Sequence, residues 1–177
     1  MAIFDGPQGL VPACECKKYA KYPVASDASE KIYKGTPIMI TSGYAVPYHE
    51  DSSPTDIVGV AIHHVEAAPG ADAYVTVTDD PDMEFDVLCD ATFAIGDGAY
   101  MGLVAHGTAN GANAGSNDHS TAVLDEDTQA AAATAVAPFR ILGLSPIPGN
   151  SATLAAGKTP VLRVKIEKLS YFTDTDT

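Results

Sequence analysis

Tryptophan is absent from this chain of 177 residues, and aromatic residues make up only 7% of it. Proteins that hold sugars or single-stranded nucleic acid lean on aromatic platforms, so the scarcity argues mildly against both. Cysteine is also sparse. Three residues, an odd number, do not make a disulfide framework, and they read as free thiols of a reducing cytoplasm. No stretch reaches the roughly 18 apolar residues that a membrane helix needs. The opening MAIFDGPQGLVPAC has neither a basic region nor a continuous apolar run, so no secretory signal is expected.

The most telling absence is of positive charge. All ten basic residues lie in two groups: Lys17, Lys18, Lys21, Lys31 and Lys34, then Arg140, Lys158, Arg163, Lys165 and Lys168. Residues 35–139 hold none, yet carry 16 of the 23 acidic residues. The net charge of −13 opposes non-specific binding to nucleic acid or to anionic membrane. One reading is that Asp-rich turns are ordinary in an acidic β-protein. The other is a molecule with two poles, whose basic ends meet an acidic partner while the middle faces solvent.

What is present is strand-like. Hydrophobic residues make up 46%, enough for a packed core. Residues 1–30, with Gly6, Pro7, Pro12 and Pro23, read as an extended arm with a short strand near Tyr19–Val24. Short strands around Ile32, Ile38, Ile40 and Val46 flank turns at Lys34-Gly35 and Ser42-Gly43. Asp56–Ala68 is a β-branched run in which Gly59 suggests a bulge or a close backbone approach. Ala73–Thr78, Met83–Phe93 and Pro160–Phe172 alternate with period two. Residues 107–120 are Gly/Asn/Ser-rich and read as a surface loop, a possible subdivision of a domain spanning 31–172. The tail 173–177 reads as frayed. Acidic residues before the Ala-rich stretch that ends at Pro138 predict the one short helix. The fold class is therefore all-β, a small barrel or sandwich with an extended N-terminal arm and at most one short helix.

No constellation carries a reaction. His63-His64 sits in a strand run, where neighbours point to opposite faces and cannot readily share a metal ion. His49, His106 and His119 lie in loops without zinc-like spacing to a cysteine. Cys14-Glu15-Cys16 has no second cysteine pair, and Cys89 stands alone. Asp79-Asp80-Pro81-Asp82 and Asp125-Glu126-Asp127 lack the EF-hand pattern and read as solvated turns. Gly96-x-Gly98 lacks the lysine and the helix of a phosphate loop. No catalytic residue, metal or cofactor is expected.

The segments SGYAVPY, DIVGVAIHHVEAAPGADAYVTVT and PFRILGLSPIPGN…PVLRVKIEKLSYF together resemble tailed-phage capsid decoration, or cement, proteins. The likeness covers roughly residues 30–172 and is one of order and style. It implies a virion protein on the exterior of an icosahedral shell, made in the host cytoplasm and commonly trimeric. Its partners would be the major capsid protein and further copies of itself, with no nucleic acid and no membrane. Partner contact is expected from Lys17, Lys18, Tyr19, Lys21 and Tyr22, with Lys31, Lys34, Arg163 and Lys165. A receptor- or glycan-binding head-fibre or tail module is the rival reading, and a small hydrolase or metal enzyme the third.

Overall fold

Period-two alternation governs the strands. In β9 (Glu84–Leu88) Phe85 and Val87 are buried, and in β13 (Val161–Ile166) Leu162, Val164 and Ile166 are buried with them. The computed structural model describes residues 9–25, 31–48, 57–66, 72–89, 100–105, 120, 122–130, 137–148, 150 and 160–167. Among these residues the chain is all-β, with no helix. The loop 107–119 and the tail 173–177 lie outside the described residues.

One antiparallel sheet of six strands has the order β1-β9-β13-β12-β10-β11. Besides β9 and β13 it contains β1 (Val11–Pro12), β10 (Tyr100–Ala105), β11 (Ala122–Ala130) and β12 (Phe139–Leu144). A second sheet, in the order β6-β4-β5-β2-β8, is built from β2 (Tyr19–Val24), β4 (Pro37–Thr41), β5 (Tyr44–Pro47), β6 (Ile57–Val60) and β8 (Ala73–Thr78). A two-stranded ribbon joins β3 (Lys31–Ile32) to β7 (Val65–Glu66). Both large sheets curl. An isolated bridge, Cys89↔Leu124, ties β9 to β11, and Ala61↔Val77 ties the end of β6 to β8. Neither contact is a ladder, so the result is sandwich-like rather than a closed barrel.

Two cores follow from this curl. Met39, Ile57 and Val60 pack with Phe85, Phe139, Leu162 and Val164 of the six-stranded sheet. Ile38, Ala45, Val58, Ala61, Val75 and Val77 form the other cluster. Neighbours such as Ile38 and Met39 belong to different cores, so the β4–β6 side of the second sheet is apolar on both faces. That explains why Ile57–Val60 reads as an uninterrupted apolar run, buried throughout.

Gly59 makes the double burial possible. The β4–β6 register shifts between Ile38↔Gly59 and Met39↔Ile57, and φ at Gly59 is +154°. This bulge lets Ile57 and Val60, three residues apart, reach the same core. A side chain at 59 would overlap the Thr78 carbonyl oxygen, so the bulge and the close approach expected at this glycine are both present. The Ser42-Gly43 turn joins β4 to β5 with both residues at positive φ, 52° and 86°, the geometry favoured by two-residue hairpins.

The helix expected in the Ala-rich stretch before Pro138 falls largely on residues 131–136, outside the described residues; its first residues, Gln129 and Ala130, end β11, with Ala130 opposite Tyr100 of β10. One expectation is corrected. The His63-His64 pair is not inside a strand but in the bend between β6 and β7.

Residues 9–24 of the expected arm are extended and built into the body. Leu10 is fully buried and its N–H donates to the Gly35 carbonyl at 2.9 Å. Val11 and Pro12 pair with Asp86 and Phe85, and Tyr19–Val24 runs antiparallel to β8. This one stretch crosses from the first sheet to the second.

Candidate functional site

The expected contact residues fall into three places. Lys17 and Lys18 occupy the crossing between β1 and β2, against the turn that follows β8. There the Lys17 N–H donates to Asp80 Oδ2 at 3.0 Å, and the Asp79 N–H donates to the Lys18 carbonyl at 2.8 Å. The Asp82 N–H donates to Asp80 Oδ1 at 3.1 Å. These backbone donors, with the nearby lysines, lower the pKa of Asp80 below its usual value.

Arg163 and Lys165 lie on the outer face of β13, beside the same turn. Arg163 lies directly across from Asp86, and Lys165 across from Glu84. The guanidinium holds Asp86 in two hydrogen bonds of 3.0 and 3.2 Å, and Glu84 follows at 3.9 Å. Lys165 Nζ reaches Asp82 Oδ1 at 3.0 Å. The hydrogen bonds to Asp86 are the main reason that the Arg163 pKa is raised. Lys31 and Lys34 are elsewhere. Lys31 pairs with Glu66 at 3.0 Å, its partner across the β3–β7 ribbon, and exposed Lys34 stands just after β3.

The segregated charge therefore has a different meaning from two poles. Basic β13, late in the chain, lies against acidic β9 from its middle, and Arg163, Lys165, Arg140 and Lys31 all have acidic partners. Cross-strand pairing of opposite charges stabilises a ladder, so part of the segregated charge is used inside the fold. Lys17, Lys18, Lys21 and Lys34 form no salt bridge with another described residue, and all four are exposed.

The two tyrosines of β2 part company. Tyr19 is 55% exposed, whereas Tyr22 is half-buried against the inner core of the second sheet. Burial, with Asp79 nearby, raises its pKa. Tyr19, Lys21 and Pro23 share the outer face with Tyr74, which stands opposite Pro23. Tyr44 flanks Pro23 from the other side, because β2 and β5 run parallel with Val24 beside Ala45. Tyr44 and Tyr74 are 45% and 55% exposed. Sequence reasoning missed these two residues: 30 positions apart, they come onto one face, either side of Pro23, only through strand order.

No protein-family model, curated protein or solved structure matches this chain. Function must be read from the surface alone.

The remaining candidates bring little together. Among the described residues no group of three or more His, Cys, Asp or Glu side chains is placed to hold a metal ion. Cys14, Cys16 and Cys89 form no disulfide, and Cys14 lies 3.7 Å from the Met83 sulfur. His64 packs against Tyr33 with ring centroids 4.9 Å apart and the planes tilted by 43°. His49, His106 and His119 lie outside the described residues.

Proposed function

We propose that this chain is a virion structural protein that binds the outer surface of an icosahedral capsid and cements neighbouring capsomers against internal pressure. The observation that carries the reading is the exposed strip Lys17-Lys18-Tyr19, continued by Lys21, at the crossing between the sheets. These cations have no salt-bridge partner within the described chain, while most other described cations do. They are free to meet carboxylates of another protein, with Tyr19 as an amphipathic anchor. The strip stands on a stretch hydrogen-bonded into both sheets, so docking costs little ordering entropy.

Such a module binds the expanded shell better than the loosened one and stabilises it by linkage. Many copies on one particle make modest affinity per site sufficient. The test is sedimentation of wild-type and K17E/K18E/K21E protein with purified shells of the parent particle. Wild-type protein is expected to saturate the shell and raise its melting temperature, and the triple variant to lose both effects. Equal occupancy by the variant would refute the strip as the contact, and absence of wild-type binding would refute the function. The self-assembly expected from the family resemblance is read by light scattering of the isolated protein, where a strict monomer at high concentration would refute it.

A further inference from the structure

The three most exposed large apolar side chains in the described chain are Tyr19, Tyr44 and Tyr74, and the second sheet places all of them on its outer face. The six-stranded sheet covers this face over β4 and β6, through Met39, Ile57 and Val60. The outer face of β2, with the start of β5 and of β8, is left open. Tyr44, Pro23 and Tyr74 lie there in a row across three adjacent strands.

We propose that this row is a binding platform for a single β-1,4-linked glycan chain. Strands lie about 4.8 Å apart, which puts Tyr44 and Tyr74 about 10 Å from each other. Every second ring of an extended β-1,4-linked glycan presents the same face at a repeat of about that length. The two phenol rings are thus spaced to stack on alternate sugars, with the flat Pro23 ring beneath the sugar between them. Tyrosine suits this task, since its ring meets the C–H face of a sugar while its hydroxyl stays in water or bonds to a sugar hydroxyl. Lys21 and Thr76, opposite each other on the same face, add hydrogen-bonding side chains at the flank. None of Tyr19, Lys21, Pro23, Tyr44, Tyr74 and Thr76 is acidic, although the protein carries a net charge of −13.

The sheet's twist refines the ligand. Adjacent strands rotate by about 20–25°, so the two tyrosines differ by about 40–50° in orientation. A free chain can follow that turn, and the flat surface of a crystalline polysaccharide cannot. The site is therefore one for soluble chains. Its centre at Pro23 lies about 13 Å along β2 from Tyr19; it shares only the flanking Lys21 with the shell-contact strip and does not depend on the shell-binding reading.

Calorimetric titration of the full chain with cellohexaose and with chitohexaose tests the proposal, using wild type, Tyr44→Ala, Tyr74→Ala and the double variant. Wild type is expected to bind at least one hexaose. Each single variant should lose about tenfold in affinity, and the double variant all detectable binding at an unchanged melting temperature. Failure of wild type to bind either hexaose overturns the proposal, as does undiminished binding by the folded double variant. If the double variant instead loses binding to purified shells while wild type ignores both sugars, the row is a protein interface and the glycan site is refuted.

Discussion

Replacing Gly59 with alanine probes a close approach between β6 and β8. The new Cβ would overlap the Thr78 carbonyl oxygen, and it would sit on a backbone at φ +154° that L residues rarely adopt. Backbone strain of this kind costs about 1–3 kcal/mol. The overlap is with backbone, so no side-chain rotation relieves it. β6 and β8 must separate, which breaks the buried hydrogen bond of 3.0 Å from the Val60 N–H to Thr78 Oγ1. Leaving that donor unsatisfied costs about 1–3 kcal/mol more. The expected loss is about 2–6 kcal/mol, read in urea as a lower midpoint at unchanged slope. Gly43→Ala is the control. Gly43 has φ +86° with nothing within 4 Å of the added carbon, so only strain of about 1 kcal/mol is expected. If the two variants are destabilised equally, the close packing of β6 on β8 does not carry the stability assigned to it.

Arg163 and Asp86 should behave as a unit. Asp86 is almost fully buried, so Arg163→Met is expected to cost about 2–3 kcal/mol by leaving that carboxylate unpaired. A double-mutant cycle with Asp86→Asn should give a coupling of at least about 1 kcal/mol, and one below about 0.3 would contradict the geometry. Asp80, whose folded-state pKa lies below its unfolded value, adds stability that is present above the usual aspartate pKa and is lost as pH falls through the lowered one. Denaturation midpoints measured from pH 6 to pH 2 should therefore fall less steeply below about pH 4 for Asp80→Asn than for wild type. A parallel acid limb would remove Asp80 from the account.

Local signals were legible wherever a strand carries its own pattern. Phe85, Val87, Leu162 and Val164 alternate in sequence and face the core in the structure. Gly59 and the Ser42-Gly43 turn announced themselves because only glycine and small polar residues serve such backbones. The failures share a cause, which is that pairing partners distant in sequence are not written locally. Gln129 and Ala130 open an Ala-rich stretch that reads as a helix, yet they end strand β11, which lies beside β10. The charges looked like two poles because residues 84–86 and 163–165 are far apart in sequence yet adjacent in the sheet. Tyr44 and Tyr74 gave no signal at all until β2 was placed between them.

The position of β13 bears on how the molecule is made. The five strands of the second sheet all fall within residues 19–78, so that sheet can assemble while later residues are still on the ribosome. The six-stranded sheet cannot. Its central strand is β13, the last of the described strands in chain order, inserted between β9 and β12. Until those residues emerge, β9 and β12 each present an open edge of the kind that recruits foreign strands. The six-stranded sheet therefore stays open at its middle until the segment that carries β13 is inserted between β9 and β12.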